Sequence, residues 1–308
     1  MTLLGVSTSV LPRREDLEDL LVYEPDVVEF YNYPSELLPG VERFCARHGI
    51  RPALHTPTPY DEPEPLRRFA PTGPDPEGVS AAMRLTERTV RYAARVGALH
   101  VVVHFPSPYP PFTTAGFAGR CERFLRWLSD LARDQGVPVL LENLSANPLL
   151  RDPDQYGRLM RAHPGLGFCL DLGHAHLMGA RGDPLAYARA LAGSVRSMHV
   201  YNTTADRYAE HGHELARPEQ SARDGYLDLS HVIPALLGHT SPRVLILEHT
   251  HAGVGAGDAA RSAGWLRDLL KERDPPGERD APREQDPPKQ QDPPKERERN
   301  AVDDQGSS

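Results

Sequence analysis

Eight short apolar runs alternate along this chain with eight stretches of helical periodicity, and that alternation restricts the fold more than any other feature. The runs are LLGVSTSV (3–10), DVVEFYN (26–32), RPALHTP (51–57), HVVVHF (100–105), PVLLENL (138–144), GLGFCLDLGH (165–174), VRSMHVYN (195–202) and RVLILEHT (243–250). Helices are expected over 15–22, 35–48, 79–96, 117–135, 153–163, 183–192, 227–237 and 258–271, several of them closed by a glycine. Strict strand–helix alternation produces parallel strands joined by helical crossovers. Eight such units over about 270 residues suit a closed (β/α)8 barrel, which typically needs about 250. An open doubly wound sheet is the rival, but no GxGxxG follows the first run. The fold class is therefore α/β, a single TIM barrel over residues 1–271.

Composition changes abruptly after that. Residues 272–308 repeat Asp-Pro-Pro three times and hold almost no apolar side chains. Such a segment buries too little surface to offset its ordering entropy, so a disordered tail is expected. The stretch from 58 to 78 is Pro-rich and reads as a loop over one face, and 203–226 reads as a long polar loop. No run approaches the roughly 20 apolar residues of a membrane helix. The first residues put apolar side chains before basic ones, unlike a signal peptide. Three scattered cysteines, Cys45, Cys121 and Cys169, form no CxxC and point to a reducing cytoplasm, packed as small hydrophobes. A net charge of −8 argues against a nucleic-acid-binding surface.

The chemistry gathers at strand ends. In FCLDLGHAH (168–176), a buried-type strand ends in Asp171, and Gly173 is expected to break the strand so that His174 swings back. An Asp capping the following helix is the plainer alternative. The same event recurs at His55, His104, Glu142, His199 and Glu248. In a barrel, strand C-termini form the active-site face. Alternation along the strands puts Val244, Ile246 and Glu248 on one side and His249 on the other, and puts His199 and Tyr201 together. One inward layer then holds His104, Glu142, Asp171, His199 and Glu248. Three carboxylates so close repel one another, and a divalent ion relieves this. Mixed His and carboxylate ligands suit manganese, iron, cobalt or zinc. Glu29 is expected either at the mouth or as a helix cap. Asn143 and Asn202 directly follow ligand-type residues and are candidates for orienting them. His176, His249 and His251 are expected to pack or face solvent.

With these motifs in place, the chain resembles the xylose-isomerase-like TIM-barrel superfamily, which includes sugar isomerases, epimerases and endonuclease IV-type nucleases. The resemblance covers residues 1–271. For the sugar enzymes it implies one divalent ion held by Glu142 in LLENLS, Asp171 in CLDLGH, His199 in MHVYN and Glu248 in LILEH. For the nuclease type it implies further ions at His55, His104 and His174, with the pair His211 and His213. That type has Asp where this chain has His211, which weighs against a full three-ion cluster. Ketose 3-epimerases carry a Glu and an Arg where this chain has Pro148 and Ala205, so a close match to that subfamily is not expected. Arg207 and Arg223 remain candidates for an anionic substrate group.

Two functions stand out. One is a divalent-metal-dependent isomerase or epimerase of a sugar or sugar phosphate, with Glu142 and Glu248 exchanging a proton through an enediolate and His174 holding a substrate oxygen. The other is a multinuclear phosphoester hydrolase resembling endonuclease IV. A third class, a binding or oxidative protein, uses the same barrel. The expected partner is a small carbohydrate; neither a nucleic acid nor a membrane is expected, and oligomeric state is left open.

Overall fold

The structure, a computed structural model, describes residues 1–61, 69–179 and 182–271. The expected disordered tail and residues 62–68 of the Pro-rich loop lie outside the described residues.

Eight strands close into one parallel barrel in sequence order: β1 (Leu3–Ser7), β2 (Val27–Tyr31), β3 (Arg51–His55), β4 (Val101–His104), β5 (Val139–Glu142), β6 (Gly167–Asp171), β7 (Val195–Val200) and β8 (Val244–Leu247). Closure comes from β1 pairing with β8, from Leu3 opposite Val244 to Val6 opposite Leu247. The helices, in chain order, are α1 (Leu38–His48), α2 (Pro76–Val96), α3 (Phe117–Gln135), α4 (Pro153–Ala162), α5 (Leu172–Leu177), α6 (Pro184–Leu191), α7 (Ala205–His211), α8 (Leu229–His239) and α9 (Ala256–Lys271). No helix among the described residues is long and apolar enough to cross a membrane.

Local sequence explains the helix limits. Three helices start with Asp-Pro: Asp75, Asp152 and Asp183 accept hydrogen bonds from the first free backbone N–H groups, and the proline takes the first helical position, where no N–H is needed. Gly49, Gly97 and Gly136 close α1, α2 and α3 in the left-handed conformation.

Two segments differ from expectation. The stretch after β1 is a seven-residue 3-10 helix, Leu17–Tyr23, rather than an α-helix. Its Asp16 makes no capping bond, and it stops at a left-handed Glu24 ahead of Pro25. The polar loop over 203–226 contains α7, capped by Thr204, and a 3-10 turn at Ala222–Asp224.

Alternation sorts the core into two environments. Outward-facing side chains such as Val6, Phe30, Val103, Leu141, Phe168 and Met198 pack under the helices in one continuous cluster. Inward-facing ones form smaller groups inside the barrel, Val27, Ala53, Val244 and Ile246 in one and Val102, Leu140 and Cys169 in the other. All three cysteines are buried and unpaired. The polar residues of interest stand above these interior groups, at the strand C-termini.

Candidate metal centre

Six strands deliver the site. β3 ends in His55, β4 in His104, β5 in Glu142 and β6 in Asp171; β7 contributes His199, and Glu248 directly follows β8. Register puts His104 beside Glu142 and Asp171 beside His199. His55, Glu142, Asp171 and His199 are at most 1% exposed and Glu248 8%.

His199 is the hub. Its Nδ1 lies 3.1 Å from Glu248 Oε2, 3.4 Å from Glu142 Oε1 and 3.9 Å from Asp171 Oδ2. One ligand atom from each of these four residues lies within 4.8 Å of the others. Ligands 2.0–2.2 Å from a shared ion stand at most about 4.4 Å apart, so the quartet needs little adjustment to hold one. Asp171 Oδ2, His199 Nδ1 and Glu248 Oε2 are buried without a hydrogen-bond partner. Orphaned buried polar atoms are costly, and here all three face one another. The donor set therefore fits a divalent cation.

Glu142 reaches in two directions. Its Oε1 faces His199, while Oε2 lies 3.0 Å from His55 Nε2 and 3.3 Å from His104 Nε2. His55, His104 and Glu142 thus make a second ligand-type cluster sharing Glu142 with the first.

Asp171 combines the two alternatives raised by its position. Its Oδ1 accepts the His174 backbone N–H at 2.6 Å and caps α5, while Oδ2 turns to the cluster. Asn143 pins the Asp171 backbone with two reciprocal bonds of 2.9 Å. Gly173 does not break the strand as expected; it lies within α5. Its need is spatial, because a Cβ there would sit 2.2 Å from the Tyr201 ring. His174 Nδ1 lies 3.1 Å from Asn143 O, 3.3 Å from Asp171 Oδ2 and 3.5 Å from Glu142 Oε1.

The two histidines of EHGHEL part company. His213 turns inward, its Nδ1–H donating to Glu248 O at 2.9 Å and its ring stacked on Tyr201 at 3.7 Å and 4°. His211 stays outside, with a side chain 49% exposed beside Glu210. Thr250 fixes this segment by donating to His213 O from both its backbone N–H and its hydroxyl. Arg207 is tied to both oxygens of Glu214, and Arg223 is exposed. Asn202 clamps Leu227 through two bonds. His176 is half-buried and contacts Gly225 O, and His251 is exposed. His249 points away from the mouth and meets Tyr23 Oη at 2.9 Å.

Charges at the centre conflict. Burial opposes ionisation of Glu142, yet the imidazoles of His104 and His199 hold its carboxyl well below the usual range. Burial lifts Asp171 to about 8; Glu142 and Glu248 add to this, and His174 opposes it. His174 is carried to about 9 against its burial, by Asp171 and Glu142. Burial, helped by the imidazoles of His55 and His174, pulls His104 down against Glu142, and burial takes His213 to about 4. Carboxylates crowded enough to lift one another's pKa are a group that a cation stabilises.

His100 entered the site without being singled out for it, through Glu29. Glu29 caps no helix; it is fully buried against His199, its Oε1 3.0 Å from His199 Nε2, and it forms a third ligand-type group with His55 and Glu248. His100, just before β4, lies 3.2 Å from the other Glu29 oxygen. The period-2 series His100, Val102, His104 carried the signal for His100.

Solved structures share this architecture. A D-tagatose 3-epimerase-like protein superposes with a TM-score of 0.65 at 17% identity, over 88% of this chain and 98% of its own. The 3-keto-D-glucoside 4-epimerase YcjR from E. coli gives 0.65 at 16%, over 87% and 100%. The IolI protein with a bound zinc atom gives 0.66 at 17%, over 88% and 99%. At these identities the likeness shows the fold. No curated protein sequence matches the chain. The family model described as xylose isomerase-like TIM barrel matches residues 20–269, and the chain belongs to that family.

Proposed function

We propose that this protein is a divalent-metal-dependent isomerase or epimerase of a sugar or sugar phosphate. The observation that carries the reading is the convergence of Glu142, Asp171, His199 and Glu248, with three buried ligand atoms left unpaired, at the C-terminal mouth of the barrel. A 3-keto-D-glucoside 4-epimerase and a D-tagatose 3-epimerase-like protein among the fold neighbours support it. Manganese, cobalt, iron or zinc suits these ligands, and such an ion supplies Lewis-acid polarisation of a carbonyl and its neighbouring hydroxyl. The side chains do the rest. One of Glu142 and Glu248 removes the proton α to the carbonyl, leaving an enediolate, and the other returns a proton from the opposite side. His174 donates its Nδ1–H to Asn143 O, and as the imidazolium that a pKa of about 9 favours it has a second N–H, on Nε2, to donate to a substrate oxygen. The site lies in the buried mouth, where water competes poorly with these contacts.

The test is proton exchange. Purified protein loaded with each metal is incubated with ketoses, aldoses and their phosphates in D2O. Deuterium appearing next to the carbonyl supports the reading; phosphoester cleavage without any sugar exchange overturns it.

A second reading, a phosphoester hydrolase using more than one ion, is favoured by one observation: Glu142 Oε2 faces His55 and His104 while Oε1 faces His199. Two-metal hydrolases hold their ions about 3.5–4 Å apart across such a bridge. Metal counting separates the two. We expect one tight ion in the wild type and at most one weaker ion, lost in His104→Ala. Three tight ions in the wild type would favour the hydrolase.

A further inference from the structure

Glu29 comes from β2 and His199 from β7, so their contact crosses the barrel interior. Both are 0% exposed, and His100 is 2% exposed. Elsewhere inside the barrel the space is filled by Val27, Ala53, Val244 and Ile246. A carboxylate in such a place is expensive unless its charge is used, and packing alone is served by the apolar residues around it. We propose that Glu29, itself braced by His100, is a positioning residue for the metal: it fixes the proton of His199 on Nε2 and so presents the Nδ1 lone pair to the ion.

The geometry supports this in three steps. Glu29 Oε1 stands 3.0 Å from His199 Nε2, and a carboxylate oxygen that close to an imidazole nitrogen faces its N–H, because two lone pairs would repel. The contact is bent, leaving both atoms without an aligned hydrogen-bond partner, so its strength is chiefly that of charge acting on the N–H. Nδ1 lies 3.1–3.9 Å from Glu248, Glu142 and Asp171, so a cation held by these carboxylates would take the place of a proton on Nδ1, while Glu29 keeps the other proton on Nε2. His100 Nε2–H donates to Glu29 Oε2 at 3.2 Å and keeps the carboxylate from rotating away. Carboxylates paired with a ligating imidazole in this way raise its basicity, and their loss typically weakens metal affinity 10–100-fold.

This inference rests on the proposed metal centre, and the experiment separates the two. Zinc affinity is measured by competition with a chromophoric chelator for wild type, Glu29→Gln and His100→Ala, with the visible band of the cobalt-loaded proteins recorded alongside. Melting of the metal-free proteins checks folding. We expect zinc to bind at least 10-fold more weakly to Glu29→Gln, with a shifted cobalt band, and a change of about threefold in His100→Ala. If Glu29→Gln does not fold, Glu29→Asp, which keeps the charge but withdraws it from His199, takes its place with the same expectation. A folded variant with wild-type zinc affinity and an unchanged cobalt band overturns the role of Glu29 and leaves the metal centre standing. A wild type that takes up no divalent ion overturns both.

Discussion

Two layers of the same barrel, a few ångströms apart, have opposite characters. The lower layer, with Val102, Leu140 and Cys169, is apolar and closed. The upper one, one strand period above on β4, β5 and β6, replaces them with His104, Glu142 and Asp171 and leaves buried polar atoms without partners. Strand alternation aims both sets inward, so the backbone does not distinguish them. Their energetics differ. The lower layer gains from burial, at about 25 cal/mol per Å2 of apolar surface. The upper one is held in place against its own preference by strands that the rest of the core stabilises, which is the usual relation between an active site and its scaffold.

That contrast can be broken by substitution. The largest effect is expected for Glu248→Gln in the upper layer: zinc affinity and sugar proton exchange should each fall by more than about 100-fold, while the metal-free protein still folds but melts at a lower temperature near neutral pH, because, against burial, His199 holds the Glu248 carboxyl below its usual range and that attraction is lost. Metal analysis and calorimetry read both, and a raised melting temperature would show that repulsion from Glu142 outweighs the attraction to His199. Leu140→Ala in the lower layer should instead remove about 2–5 kcal/mol of stability with the ion count unchanged. Loss of ions without loss of stability in that variant would show that the two layers are not separable. Gly173→Ala drives a methyl into the Tyr201 ring and should destabilise by about 1–3 kcal/mol; Tyr201→Leu added to it should restore part of that in chemical denaturation. The smallest effect is expected for exposed His211→Ala, within about 0.5 kcal/mol in stability and with no change in bound metal.

The fold was legible because eight apolar runs and their intervening helices each carry a local signal, and the parallel barrel follows from their order. The upper layer was legible for the same reason: a ligand-type residue at a strand end is conspicuous in sequence. Other features depended on contacts that no local pattern encodes. Gly173 and Tyr201 are 28 residues apart, and only their meeting shows why position 173 lacks a side chain. Helix α7 buries none of its residues, so it lacks the apolar stripe by which a helix is recognised. His211 and His213 are indistinguishable by type and spacing, and their separation is set by Thr250 on another strand end. Glu29 was visible as an acid near a strand end, but its contact with His199 across the barrel was not.

The divided duty of Asp171 has a mechanical consequence. One of its oxygens is committed to the first turn of α5 and its backbone is fastened to Asn143, so only its second oxygen is left to meet a ligand. Glu142 and Glu248 have one more methylene and no such anchor on a helix. If the proposed centre holds an ion, any rearrangement of its ligands would fall to the two glutamates, with Asp171 as the fixed point between them.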